Sequence, residues 1–185
     1  NVERQYMIKE EIWSAYQQAG GTGLNAFTTD LATAYFVTLP KNRIELFLYL
    51  ESDRMQNAIL REFYSERDVV REERRMRYDD RPTGRYFETL NGIIYEAFPY
   101  RIPTIGWPSD IMNLTREQAA EHYRKYYKPR NSILVLAGDL EIEPTMQLVK
   151  KYFAEIPAGE AFAPLVVRDP EQAGEKRLTV YRPDA

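Results

Sequence analysis

The chain of 185 residues contains no cysteine. Disulfide scaffolding and thiolate metal sites are therefore excluded, while oxidising and reducing compartments both remain open. Histidine is almost as scarce: His122 stands alone, and a zinc site needs several ligands. A lone histidine on a helix reads as structural or exposed before it reads as a ligand. No apolar run approaches the roughly 20 residues that cross a bilayer, so no membrane span is expected. An excess of one charge is missing too. Lys and Arg number 25 against 28 Asp and Glu, a net charge of −3, and the two signs are interspersed. There is no basic stripe to follow a phosphate backbone, so nucleic acid is not an expected partner. An initiator methionine is also missing. Residues 1–7 run straight into a helical pattern, as expected of a piece of a longer polypeptide, with no signal peptide ahead of it.

With 44% hydrophobic residues the chain can bury one core, and its length asks for a single domain over 1–185. Ile8, Ile12, Trp13, Tyr16 and Ala19 recur at helical spacing and stop at Gly20 and Gly21, a helix end of the glycine type. Residues 20–23 do not make a phosphate loop, because no Gly-Lys-Ser/Thr follows. Residues 24–28 and 34–39 are rich in β-formers and read as a hairpin across residues 29–33. Ile44, Phe47, Leu48, Met55 and Ile59 mark a long amphipathic helix after Pro40.

Further on, Tyr86, Phe87, Leu90, Ile93, Ile94, Ala97 and Phe98 keep the helical period and predict a core face. Four residues, Pro99, Pro103, Gly106 and Pro108, make the next stretch an irregular loop. Thr115 and Gln118 have the form of a capping box opening a helix through His122 and Tyr126. The uncharged run 132–137 predicts a buried central strand. Pro144 suits the first turn of a helix containing Leu148, Val149, Tyr152 and Phe153. Residues 158–174 read as linker-like, and 177–181 as a last short strand. The order predicts an α/β (α+β) fold: a two-layer sandwich of a mostly antiparallel sheet packed with several helices.

The stretch that carries chemistry is 65–76. Ser65 with Asp68 has the capping-box form, Tyr64 can staple against Val69, and the helix runs until Pro82 forbids continuation. At about 100° per residue, a stripe through Val69, Val70 and Met76 defines the expected buried side. Glu66 and Glu73, seven apart, project into that stripe, whereas Glu72 is turned about 100° away from Glu73. Carboxylates among apolar neighbours must be offset by a cation, a metal or hydrogen bonds. One reading is a metal ligand with a supporting carboxylate. The plainer one is a salt-bridged helix whose Glu66 and Glu73 pair with Arg67, Arg71, Arg74 or Arg77.

Three segments together carry a family likeness. Gly20-Gly21-Thr22-Gly23-Leu24-Asn25-Ala26-Phe27-Thr28, then Glu66-Arg67-Asp68-Val69-Val70-Arg71-Glu72-Glu73-Arg74, then Tyr126-Tyr127-Lys128-Pro129-Arg130-Asn131 leading into residues 134–139, resemble the pitrilysin/insulinase family of zinc peptidases. The resemblance implies a fold in which an inverted His-x-x-Glu-His motif supplies two imidazole ligands and the general base. It implies that Glu73 is the third zinc ligand and Glu66 its supporting partner. Three protein ligands leave one zinc position for a water made nucleophilic toward an amide carbonyl. It further implies that Leu24, Asn25, Ala26 and Phe27 form an edge strand holding an extended peptide or unfolded polypeptide by main-chain hydrogen bonds. Asn25 can orient a substrate carbonyl or serve a turn. A homologous second half-domain, in the same or a partner chain, is the implied partner.

The His-x-x-Glu-His motif itself is absent, so the chain by itself is not expected to cut peptides. It is either a piece lying downstream of the motif, supplying the glutamate ligand and the peptide-holding strand, or a homologue of the same fold that presents peptides or builds structure. Retention of both inward glutamates favours the first, since an idle site could take less costly apolar residues.

Overall fold

The computed structural model describes residues 11–181; Ile8 of the first predicted helix lies outside them. In chain order come α1 (Glu11–Gln18), β1 (Thr22–Thr28), β2 (Thr33–Thr38), α2 (Ile44–Asn57) and α3 (Phe63–Arg74). They are followed by α4 (Pro82–Ile94), α5 (Pro108–Asn113), α6 (Arg116–Tyr126) and α7 (Ile142–Phe153). The fold is α+β and helix-rich. Two compact units make it up, one from residues 11–59 and 123–161, the other from 60–122 and 162–181.

In the first unit α1 ends as its glycines dictate. Gly20 takes φ 83°, and the Gly21 amide donates to the Tyr16 carbonyl at 2.7 Å, closing the last turn. The chain then enters an antiparallel hairpin in which Asn25 faces Phe36, Ala26 faces Tyr35, Phe27 faces Ala34 and Thr28 faces Thr33. The ladder is irregular between Thr22 and Asn25. Gly23 sits inside that irregularity at φ 63°, a left-handed conformation that a side chain would strain. At the tip the Thr29 amide donates to the Ala32 carbonyl at 2.8 Å. The unit's core includes Tyr16 and Leu48, both essentially fully buried, and the Tyr16 ring meets Phe47 at 6.4 Å. Lys151 and Tyr152 of α7 both donate to the Glu45 carboxylate of α2, at 2.7 and 2.8 Å.

The second unit is organised by arginines. Arg67 donates to the carbonyls of Met112 and Leu114 at 3.0 and 3.1 Å, tying α3 to the end of α5, where Ile111 is buried. A π-helical turn, Arg75–Asp79, continues α3. The start of α4 packs on that turn so closely that a Cβ on Gly84 would lie 2.4 Å from the Arg77 carbonyl oxygen, so only glycine fits. Residues 162–176 form neither helix nor strand, yet they are pinned. One Asp169 carboxylate oxygen accepts the amides of Glu96, Ala97 and Phe98 at 2.8, 2.7 and 3.2 Å, and Lys176 reaches the Ile93 carbonyl at 3.1 Å.

Several expectations are corrected. The run 132–137 is not a buried strand: it has no ladder partner among the described residues, and Ile133 and Val135 are 92% and 76% exposed. Residues 177–181 are likewise unpaired. A strand needs a neighbour to satisfy its alternate amides, however β-prone its side chains. The sheet of the described residues is thus two-stranded, smaller than the predicted layer. The periodic face of α4 is not a core either, since Tyr86, Phe87 and Ile94 are exposed. Helix α3 begins at Phe63 without a side-chain cap, two residues ahead of the Ser65 start. The box predicted at Thr115 does form: its amide donates to Gln118 Oε1 at 2.9 Å, and the Gln118 amide to Thr115 Oγ1 at 3.2 Å.

Candidate functional site

Two sets of residues were singled out by sequence, and they belong to different units. The hairpin lies in the first. Leu24 is half-buried, whereas Asn25, Ala26 and Phe27 are exposed, and Phe27 packs its ring on Phe36 at 6.1 Å. The Ala26 amide donates to Asn25 Oδ1 at 2.8 Å, so that amide is not spent on the ladder to β2. A backbone donor on an edge strand that is not part of the ladder is what an added strand would use. In this conformation the Asn25 carboxamide covers it.

On one side of the hairpin is a cavity of about 290 Å³ whose wall includes Trp13, Leu24, Ala26 and Phe47, with Tyr35 and Arg54 among its polar lining. Its polar groups are held together. The Tyr16 hydroxyl donates to Glu51 Oε1 at 2.7 Å, and Arg54 is ion-paired with Glu51. The Arg54 guanidinium stands 4.1 Å from the Tyr35 ring centroid. Tyr35 and Tyr127 join hydroxyls at 2.8 Å. Tyr123 stacks on Tyr127 at 4.1 Å and donates to the Arg54 carbonyl at 2.8 Å. Burial pushes the phenols of Tyr16, Tyr35 and Tyr123 above the ordinary tyrosine range; the Glu51 carboxylate adds to this at Tyr16, and the Tyr127 hydroxyl at Tyr35. These hydroxyls stay protonated and serve as hydrogen-bonding groups.

The glutamates lie in the second unit, on α3, and here the sequence had the helix turned the wrong way. Val69, Val70 and Met76 were expected inside and are exposed. The buried side carries Arg74, only 3% exposed. Its guanidinium donates to Glu88 at 2.7 Å and to the Gly106 carbonyl at 2.8 Å, with the Tyr78 and Trp107 rings at 5.3 and 6.0 Å. A buried guanidinium needs such a set of acceptors, and an ion pair with two-point hydrogen bonding is how helices hold one. Arg67 and Arg74 are seven apart, so the heptad argument applied to Glu66 and Glu73 selects this pair equally well. Sequence reasoning passed over them because arginine was counted as a surface partner for the acids.

With the arginines inside, Glu66 and Glu73 face outward along with the valines. Glu66 is exposed and has no side-chain partner among the described residues. Glu73 is partly covered and pairs with Arg77 at 2.8 Å, one turn on. Glu72, expected toward the outer edge, is exposed and held by Arg75 at 2.6 Å, which lowers its pKa. His122 is exposed on α6. Among the described residues no three His, Cys, Asp or Glu groups are close enough to hold a metal ion. The residues present therefore do not amount to a zinc site; Glu73 could furnish one ligand of one. No helix of the described residues is long and apolar enough to cross a membrane.

Comparison with known proteins first defines the class. The fold aligns with a protease from Helicobacter pylori at TM-score 0.81 and 31% identity, over 89% of this chain and 40% of that one. It also aligns with the first half of the Escherichia coli periplasmic protease PqqL at TM-score 0.74 over 87% of this chain and 36% of that one. At 19% identity the latter speaks for the fold alone, which is that of a peptidase half. In sequence, residues 113–185 match the family described as "Peptidase M16 inactive domain". The zinc protease PqqE of Helicobacter pylori is 30% identical over 162 residues, 85% of this chain and 36% of that protein. The chain belongs to the M16 peptidases, the pitrilysin/insulinase family. It spans little more than a third of the length of the zinc protease it matches.

Proposed function

We propose that this chain is the C-terminal portion of the catalytic half of a zinc-dependent endopeptidase acting on extended peptides, and that it is inactive alone. In the complete protein Glu73 supplies one carboxylate ligand to zinc, and Glu66, one heptad earlier, orients the ligands around it. Residues Leu24, Asn25, Ala26 and Phe27 of β1 hold the peptide as an added strand. A homologous half, in the same or a partner chain, encloses it. Bound zinc would polarise the scissile carbonyl and acidify a water; this chain's own residues contribute charge, orientation and main-chain hydrogen bonds.

The observation that carries the reading is the outward face of α3. Glu66, Val69, Val70 and Met76 are exposed and Glu73 is partly so, while Arg74 occupies the inside. Apolar residues left this exposed are costly in water and contribute only part of their surface to this unit's packing. They suit a face covered by another part of a longer protein. The alternative, a peptide-presenting or structural subunit of the same fold, draws on the match of residues 113–185 to a domain described as inactive. Glu66 and Glu73 lie outside that match, which favours the first reading.

Three measurements decide between them. The coding sequence ahead of Asn1 should encode His-x-x-Glu-His; its absence sinks the peptidase reading. In the complete protein Glu73→Gln should abolish stoichiometric zinc while leaving the circular dichroism spectrum unchanged, and unaltered metal content counts against the ligand role. The isolated chain should show no chelator-sensitive peptide hydrolysis.

A further inference from the structure

The strongest unassigned feature is the cluster behind the hairpin. Tyr35 is the cross-strand partner of Ala26, the residue at the centre of the candidate peptide-holding stretch. The hairpin's internal contacts, the Phe27–Phe36 rings and the Thr28–Thr33 hydroxyls, are a weak anchor: most of its residues are exposed, its ladder is broken between Thr22 and Asn25, and a two-stranded hairpin is marginal in water. Tyr35 reaches out of it to two distant elements. Its hydroxyl meets that of Tyr127, 92 residues later, at 2.8 Å, and its ring lies under the Arg54 guanidinium at 4.1 Å.

Both outside partners are themselves fixed. Arg54 is paired with Glu51, which also accepts from Tyr16. Tyr127 is stacked on Tyr123, whose hydroxyl returns to the Arg54 carbonyl. The loop of contacts closes on α2 and α6 through side chains and the Arg54 carbonyl, whereas an added strand would pair with the main chain of β1. A cation over a ring with a hydroxyl bond at its far end restrains a side chain in position and in rotation.

We infer that Tyr35, Arg54 and Tyr127 form a clamp that sets the position of Ala26, making them positioning residues for the strand that holds the peptide. The inference rests on the peptide-holding reading of β1. A peptide added to an edge strand gains its affinity from evenly placed main-chain bonds, so a strand that wanders loses binding before it loses chemistry. The clamp thus bears on KM and leaves kcat to other groups.

The test uses the full-length protein with Tyr35→Phe, Tyr127→Phe, the double variant and Arg54→Lys, which keeps the charge and loses the planar stack. Hydrogen exchange is followed at the amides of residues 24–28, with α7 as an internal control, and cleavage of a quenched fluorogenic decapeptide library gives KM and kcat. Each Phe variant should speed exchange at 24–28 by about fivefold, the factor for one lost neutral hydrogen bond. KM should rise by a similar factor, with kcat unchanged and α7 unaffected. The double variant should be no worse than either single one, because the two hydroxyls share one bond. Unchanged exchange at 24–28, a rise spread evenly over the unit, or additive Phe effects would overturn the clamp. Faster exchange with unaltered KM would show that the clamped strand does not hold the peptide, and would overturn the inference in that form. A wild-type protein that cuts nothing would instead sink the peptidase reading, and the exchange data would still decide whether the clamp exists.

Discussion

Arg74 and Glu73 are neighbours in sequence and opposites in use. Arg74 is buried, paired with Glu88 and bonded to the Gly106 carbonyl, and it fastens α3 to the rest of its unit. Glu73, turned about 100° from it, holds only an exposed arginine one turn on. One residue is committed to stability, the other is left uncommitted. The difference teaches where to look for function in a short charged helix: in the carboxylate whose removal the fold would hardly notice, held at a fixed angle by a cation the fold cannot lose.

That contrast can be broken most directly at Arg74. Arg74→Ala strands the Glu88 carboxylate and should destabilise the second unit by roughly 3–5 kcal/mol, read as a lowered denaturation midpoint; a loss under about 1 kcal/mol would erase the distinction. Arg67→Ala, which frees two carbonyls at the end of α5, should cost roughly 1–2 kcal/mol by the same measurement. An intermediate case is Asp169. Its three amide donors, Ala97 foremost, hold its carboxyl below the ordinary aspartate range, with Lys176 adding to this. A depressed folded pKa contributes stability that is complete above the unfolded value of about 3.9 and is lost as pH falls through the lower folded value. Hydrogen exchange at Glu96, Ala97 and Phe98 should therefore stay slow down to about pH 4 and quicken below it. Asp169→Ala, which removes the acceptor, should be fast throughout. The smallest effect belongs to Glu73→Gln, within about 0.5 kcal/mol in this chain. A larger cost would mean that Glu73 is structural and the contrast with Arg74 false.

How legible was this in the sequence? Most local signals were read correctly where the interaction they describe is itself local, the exception being the Ser65–Asp68 box, since α3 opens at Phe63 with no side-chain cap. Gly20 ends α1, the 29–33 region turns the hairpin, and the Thr115–Gln118 box forms with both of its hydrogen bonds. Long-range judgements went astray where a pattern needed a partner. The 132–137 run has the composition of a central strand and stands unpaired among the described residues, and the apolar face of α4 has the period of a core and remains open. The stripe on α3 failed for a different reason. Periodicity fixes which residues share a face but not which face goes inside; valine outweighs arginine on any transfer scale, yet a satisfied guanidinium won. The pair Tyr35–Tyr127 had no sequence signal at all, since nothing local links residues 92 apart.

The unpaired run has a consequence for handling the molecule. Among the described residues, 132–137 have no strand partner; the run holds no charge and is flanked by Arg130 on one side and Asp139 on the other as gatekeepers. Copies of this chain by themselves should stick to one another edge to edge as concentration rises. Slow precipitation from clear solutions, cured by Val135→Lys, would be its everyday sign.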